Sequence, residues 1–268
     1  MAIALTAGMR NNLISLQNVD KLMTTTQNRL ATGKKVNTAL DDPVNFFKSK
    51  DHYNRASDLA AKKDGMSEAI KTIEAANTGI EKIEALLNQM KSLASAAKTS
   101  SNVTALETQF DAIISQVAFM ADDSNYGGSN LLNGDELSVE FDENGDNTLT
   151  VTGFSAATSG SVAGVSIANA NFASNAAIEA GAISDIDAAI SALRTEAQRL
   201  SSSLSTISIR SEFTSEMVNT LNTGGDNLTL ADMNEEGANM LMLQTRQNLG
   251  TTSLSLASQA AQAVLRLF

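Results

Sequence analysis

The sequence predicts a mainly α fold: a long antiparallel coiled-coil helical bundle formed by both chain ends, with a small β-hairpin-containing insert in the middle. Three observations predict it. Apolar residues recur at alternating three- and four-residue intervals through most of both halves, the spacing that keeps one seam of a helix against a partner. Strand-like alternation is confined to a short central stretch. The chain also has no Trp, two Tyr, nine Phe and one Pro in 268 residues. Cores built on aromatic side chains need more of them, whereas long helices packed side by side do not.

The first helix has a seam of Met9, Asn12, Leu16, Val19, Met23, Thr26 and Leu30. It stops at Gly33, which can take the left-handed conformation of a helix end. Asp42 caps the second helix and Pro43 fills its first position. From about Pro43 to Lys98 that helix would be roughly 80 Å long at 1.5 Å per residue. Its seam is Met66, Ala69, Ile73, Ala76, Ile80, Ile83, Leu87, Met90, Ala94 and Ala97, and a third helix carries Val103, Leu106, Phe110, Ile113, Val117 and Met120.

Leu137–Phe141 and Thr148–Thr152 then alternate as strands do, around a turn at Asn144-Gly145. That is a β-hairpin. A Ser/Ala/Gly-rich stretch, Ser155 to Ala182, follows, with weak strand character around Val162 to Ile167. The fourth helix runs Ile186, Ile190, Leu193, Ala197, Leu200, Leu204, Ile207, Ser211, Thr214, Val218 and Leu221, and Gly224-Gly225 is expected to break it. Thr229-Leu230-Ala231-Asp232 reads as a capping box for the last helix. There Met242, Leu249, Leu256 and Ala263 repeat every seven residues, with Ser253, Ala260 and Leu267 between them. The helical halves flank the insert, so the termini are expected to lie together. Periodicity leaves open whether each partner helix belongs to the same chain or to another copy.

Charge is unevenly spread. The formal net charge is −11, which disfavours nucleic acid or an anionic membrane as main partner. No Lys or Arg lies between Thr99 and Leu193, where thirteen acids fall; elsewhere nineteen cations meet seventeen acids. Near-neutral ends suit packing against copies of the same chain, and an acidic middle suits a solvated surface. The absence of Cys removes disulfides, thiolate metal sites and Cys nucleophiles. No stretch reaches the ~20 apolar residues of a membrane helix, so no membrane insertion is expected. Arg10, Asn11 and Asn12 interrupt any cleavable-signal hydrophobic region, so if the protein leaves the cell it is expected to do so without a cleaved signal peptide.

Little suggests catalysis. His52 is the single histidine, so neither a His metal cluster nor a Ser-His-Asp triad can form; it is expected on a solvated helix face. Asp142-Glu143-Asn144-Gly145-Asp146 fails as a calcium loop, since the sixth position is Asn147 and the twelfth Gly153. No phosphate-binding glycine loop precedes a helix. No catalytic, cofactor-binding or metal-ligating residues are expected, and no cofactor. Asn102-Val103-Thr104 and Asn227-Leu228-Thr229 match the N-glycosylation pattern, though the second is better read as a helix start.

Three segments resemble one family. Gln27–Asp42 resembles the flagellin segment R-L-S-S-G-x-R-I-N-S-A-x-D-D. Asn125–Gly134 is similar to the family's F-N-G-x-x-L-L-x-G turn. Met240–Phe268, with Gln244, Gln247, Leu249, Gly250, Ala257, Gln259, Ala260 and Leu265-Arg266-Leu267, resembles its closing helix. The likeness covers about residues 1–134 and 184–268, with its motifs in the family's order.

The resemblance implies a structural subunit, not an enzyme, that self-assembles into the bacterial flagellar filament for swimming motility, through terminal helices that order on polymerisation. It implies five segments: an inner-tube helix and linker at 1–42, an outer helical domain at 43–130 and 184–225, a surface-exposed insert at 131–183, and a second inner-tube helix at 226–268. Inner-tube packing would fall to Met9, Leu16, Val19, Met23, Leu30, Met242, Leu249, Leu256, Ala260, Ala263 and Leu267. Outer-domain packing would fall to Ile73, Ile80, Ile83, Leu87, Met90, Phe110, Ile113, Val117, Leu193, Leu200, Leu204, Ile207 and Leu221. Implied partners are the chain itself and sister flagellins, the flagellar export apparatus, an export chaperone at the C-terminal helix, the filament cap and hook-junction proteins. The implied location is the extracellular filament. Leu87–Ala94 is similar to the family's innate immune receptor epitope, L-Q-R-V-R-E-L-A. Here Gln89 replaces an arginine and Ser92 the glutamate, beside Lys91 and Leu93.

Three other functions are weighed against this pattern. A hook–filament junction protein of the same axial family would differ in its low copy number in sheared filaments. A cytoplasmic coiled-coil signalling module shares Ala/Ser/Gln-rich heptads, but the β insert speaks against its unbroken arms. An acid-only secreted hydrolase would require turnover that nothing in the sequence indicates.

Overall fold

The computed structural model describes residues 7–158, 160–167, 170 and 172–265. Helices dominate: α1 (Ala7–Thr32), α2 (Pro43–Ala97), α3 (Val103–Asp123), α4 (Asn175–Ala177), α5 (Ser184–Thr229) and α6 (Met233–Leu265). Between α3 and α4 lie β1 (Glu136–Glu140), β2 (Thr148–Thr152), β3 (Ala157–Thr158), β4 (Ser161–Val162) and β5 (Val165–Ser166). No described helix is long and apolar enough to cross a membrane.

The chain divides into two compact units. One comprises the described residues through Asn54 and those from Thr220 onward; the other is Arg55–Asn219. Both α2 and α5 contribute to each.

The Arg55–Asn219 unit holds the main core. Every seam position of α2 from Met66 to Ala97 is buried, and Phe110 packs edge-to-face on Phe172 with ring centroids 5.4 Å apart. Ile73, Ile80, Ile83, Leu87, Met90, Ile113, Val117, Leu193, Leu200 and Ile207 are buried, with Leu204 packed beside them. Ion pairs Lys91–Asp187 and Arg194–Glu84 join α2 to α5 with residue numbers running in opposite senses, so these helices are antiparallel. Asn130 fixes the turn after α3. Its side-chain amide donates to the Ala121 and Asp122 carbonyls while its Oδ1 accepts from Leu132 N–H, which seats Leu131 and Leu132 in the core.

β1 and β2 pair antiparallel, with Val139 opposite Leu149, and Gly145 at the tip has φ +78°. Lys62 bonds Glu140, and Arg55 lies 2.6 Å from Glu143. A second, three-stranded sheet, β3-β4-β5, forms within the Ser/Ala/Gly-rich stretch. Its first strand has no alternation to announce it. Asp111 and Glu107 on α3 accept backbone N–H bonds from Ala170 and Phe172 and hold the following segment down. A six-residue π-helix, Ile178–Ile183, leads from α4 into α5.

Two local expectations are corrected. Gly224-Gly225 does not break the helix, because α5 continues to Thr229. Gly225 instead admits Tyr53, since a β-carbon there would meet the ring at 2.9 Å. The last helix is not capped from Thr229, which closes α5 with its hydroxyl on the Gly225 carbonyl. Asp232 caps it, its Oδ1 accepting from Asn234 and Glu235 N–H. Asn227-Leu228-Thr229 is accordingly the end of one helix and not the start of another. His52 is half-buried rather than on a solvated face.

Candidate functional site

In the unit formed by the chain ends, α1 and α6 run antiparallel. Asn12 donates to Ser253 Oγ at 3.3 Å, Leu16 meets Gly250, and Arg29 Nη1 lies 2.9 Å from Glu236 Oε1. Met9 and Val19 are buried on this face of α1, and Leu16, Met23 and Leu30 are half-buried. Leu221 is buried in the same unit.

The facing seam of α6 is Glu236, Met240, Leu243, Gln247, Gly250, Leu254 and Ala261, all buried or half-buried. The face packed on α1 is thus displaced by one residue from the heptad of Met242, Leu249 and Leu256, whose partner helix the sequence leaves open. Met242, Leu249, Leu256, Ala260 and Ala263 are exposed, and Leu267 lies outside the described residues. The physical reason lies in contacts between distant parts of the chain: Leu16 lies against Gly250, and the Arg29–Glu236 pair fixes the rotation of α6 about its axis.

Large apolar side chains also face outward. Leu249 is 66 % exposed, Leu256 61 % and Leu241 67 %, and on α1 Leu13, Ile14 and Leu22 are also exposed. Sequence reading missed Leu13, Ile14, Leu22 and Leu241. The available signal was that apolar residues surround α6 on all sides, a pattern of helices buried on more than one face.

A loop ties these helices to α2. Gly33 ends α1 at φ +70°, and Lys35 N–H and Ala231 N–H bond to the Thr229 and Gly33 carbonyls. Asp41 accepts from Thr38 N–H, Asn37 N–H and the Thr38 hydroxyl; the backbone bond from Thr38, then that from Asn37, hold its carboxyl below the ordinary value. Tyr53 donates to Asp226 Oδ1 at 2.7 Å, and burial first, then that bond, pushes its phenol up. Arg29, Lys35, Asp41, Asp42, Asp232, Glu235 and Glu236 line a polar recess beside the loop.

Among the described residues no group of three His, Cys, Asp or Glu could hold a metal. The residues matching the immune epitope lie on α2: Gln89 is exposed, Lys91 is half-buried and paired with Asp187, and Leu93 is half-buried.

The model of the bacterial flagellin N-terminal helical region matches residues 5–136, and that of the C-terminal helical region matches 182–268. Flagellin FljK of Caulobacter vibrioides is 30 % identical over 264 residues, covering 96 % of this chain and 95 % of that one. A flagellin of Brucella melitensis is 29 % identical over 269 residues, with the same coverage. A crystal structure of Bacillus cereus flagellin gives a TM-score of 0.48 at 18 % identity, over 56 % of this chain and 88 % of that one. The chain belongs to the bacterial flagellin family and is a structural subunit of the flagellar filament.

Proposed function

We propose that the outward apolar faces of α1 and α6 are the surfaces through which subunits join, and that these helices become fully ordered only there. The observation that supports this is the second apolar face of α6. Met240, Leu243 and Leu254 are turned toward α1, yet Leu241, Met242, Leu249 and Leu256 face solvent. Covering the exposed half of a Leu or Met contributes about 1 kcal/mol. Seven such side chains on α1 and α6 give about 7 kcal/mol, near the lower end of the ~4–15 kcal/mol cost of immobilising a partner. One neighbour is marginal, whereas several neighbours at a growing end are enough. A head-to-tail contact of this kind propagates into an open helix.

In this reading residues 1–42 and 226–268 form the inner tube, 43–130 and 184–225 the outer helical layer, and 131–183 the exposed insert. Met9, Leu16, Val19, Met23 and Leu30 hold the pair together within a chain; Met242, Leu249, Leu256, Ala260 and Ala263 meet neighbours. The outer layer packs through the seams of α2, α3 and α5. The chain passes through the flagellar export apparatus, with a chaperone on the C-terminal helix, and meets the cap and hook-junction proteins. It has no catalytic role.

The test is a full-length Leu249→Glu/Leu256→Glu variant offered to filament seeds. Both positions face away from α1, so hydrogen-exchange protection along the α1–α6 pair should stay unchanged while electron microscopy finds no elongation. Filaments of ordinary length from this variant would overturn the reading.

A further inference from the structure

Arg246 is the one charged residue between Gly237 and Leu265. It is exposed, has no ion pair among the described residues, and stands four residues after Met242 and three before Leu249. It thus belongs to the outward apolar stripe of α6. If that stripe is covered by a neighbour, the guanidinium loses its water. Burying an unpaired charge costs several kcal/mol, more than the leucine beside it contributes. Acceptors from the neighbour, a carboxylate best among them, would have to replace that water.

The same unit holds a surplus of carboxylates without a cation. The recess beside the loop is lined by Asp41, Asp42, Asp232, Glu235 and Glu236 against Arg29 and Lys35, a net of −3. Asp41, Asp42 and Asp232 are occupied by backbone N–H groups. Glu236 is 6 % exposed; its Oε1 is held by Arg29, but its Oε2 has no hydrogen-bond partner. Its own chain's Arg246 cannot supply one. Ten helical residues separate them, about 15 Å along the axis.

We propose that Arg246 of one subunit docks in the acid-lined recess of the next, completing Glu235 and Glu236 with a cation from a second copy. The inference rests on the polymeric reading above and adds a specific contact to it. The pairing is between unlike surfaces, so it has a direction and repeats without closing. A guanidinium suits it, because its fork can bridge two carboxylates that a point charge could not.

The test is elongation of full-length protein on filament seeds across a range of NaCl concentrations. Glu235→Lys and Arg246→Glu are each expected to slow growth about tenfold, and the Glu235→Lys/Arg246→Glu chain to regain most of it, as a direct charge pair requires. Single variants that grow at the unaltered rate would overturn the proposal. A second measurement does not depend on the reversed charges being tolerated. Because the sequence has no Cys, Glu235→Cys/Arg246→Cys filaments treated with a short bis-maleimide should give a ladder of covalent multimers that neither single Cys variant gives. Absence of the ladder in grown filaments would also overturn it. Failure of the unaltered protein to elongate would instead count against the polymeric reading itself.

Discussion

Gly250 on α6 lies directly under Leu16 on α1, so close that a β-carbon at 250 would sit 2.6 Å from Leu16 Cδ2. The intruded atom is the end of a flexible side chain, so an alanine would displace it at little cost and recover up to about 1 kcal/mol of helix propensity. A leucine could not be absorbed. Gly250→Leu should lower the protection of the α1–α6 pair by about 1–3 kcal/mol, the usual cost of overpacking. Leu16→Ala/Gly250→Leu should restore more than half of it. Hydrogen exchange across both helices reads both changes. No loss in the single variant would mean that the helices do not touch at this point.

Acid should loosen the loop between α1 and α2 at its Asp41 anchor. The Asp41 carboxylate accepts from Thr38 N–H at 2.9 Å and Asn37 N–H at 3.1 Å, which holds its pKa below the ordinary value. A depressed folded value contributes stability above the unfolded pKa of about 3.9 and loses it as pH falls through the folded value. The amide resonances of Asn37 and Thr38 should therefore hold their native shifts down to about pH 4 and lose them below it. In Asp41→Asn, whose amide oxygen does not titrate in this range, they should be flat across the same interval. Identical titrations in both proteins would show that another group governs the loop.

The helical frame was legible because its seams are long and unambiguous. The second helix presents Ile73, Ile80, Ile83, Leu87 and Met90 on one face, and no alternative seam of comparable bulk competes. The last helix offers Leu241, Met242 and Leu243 in succession, so bulk alone cannot choose the inward face. That choice is made by long-range geometry, the Leu16–Gly250 fit and the Arg29–Glu236 pair, which no local pattern encodes. Of the β3–β5 sheet only weak strand character around Val162 to Ile167 was legible, and β3 was not. Its strands are two residues each, with Ala163 at φ +50° and Gly164 at φ +78° making its second turn, and they are too short for the alternation that marks β1 and β2. The acid-lined recess draws on two segments nearly two hundred residues apart, and only the folded pair of chain ends brings them together.

Recognition by the innate immune receptor should be weak. The stretch similar to the family epitope has Gln89 where an arginine is usual, and Gln89 is exposed on α2. An amide cannot replace the charged, bidentate donor that a guanidinium offers a carboxylate. Gln89→Arg should raise the response of a receptor-reporter assay by about tenfold, the scale of one charge-assisted contact. A full response from the unaltered protein would remove the basis for this expectation.

The two adjacent glycines of α5 should answer to alanine with opposite signs. Both lie inside a continuous helix, where replacing Gly by Ala is worth up to about 1 kcal/mol in backbone entropy. At Gly224 the nearest atom to a new β-carbon is His52 Cδ2 at 3.9 Å, an ordinary contact. Gly224→Ala should therefore stabilise the unit of the chain ends by about 0.5–1 kcal/mol. At Gly225 the β-carbon would meet Tyr53 Cζ at 2.9 Å and both flanking ring carbons within 3.2 Å. That ring cannot swing away freely, because its hydroxyl is bonded to Asp226 and Lys34 lies over its face. Gly225→Ala must push α2 from α5 or break the Tyr53–Asp226 bond, and it should cost about 1–3 kcal/mol despite the gain in propensity. Hydrogen exchange along residues 43–54 and 220–229 distinguishes the two. Equal stabilisation by both alanines would mean that the pair serves flexibility alone, and that Tyr53 does not set how closely α2 and α5 approach here.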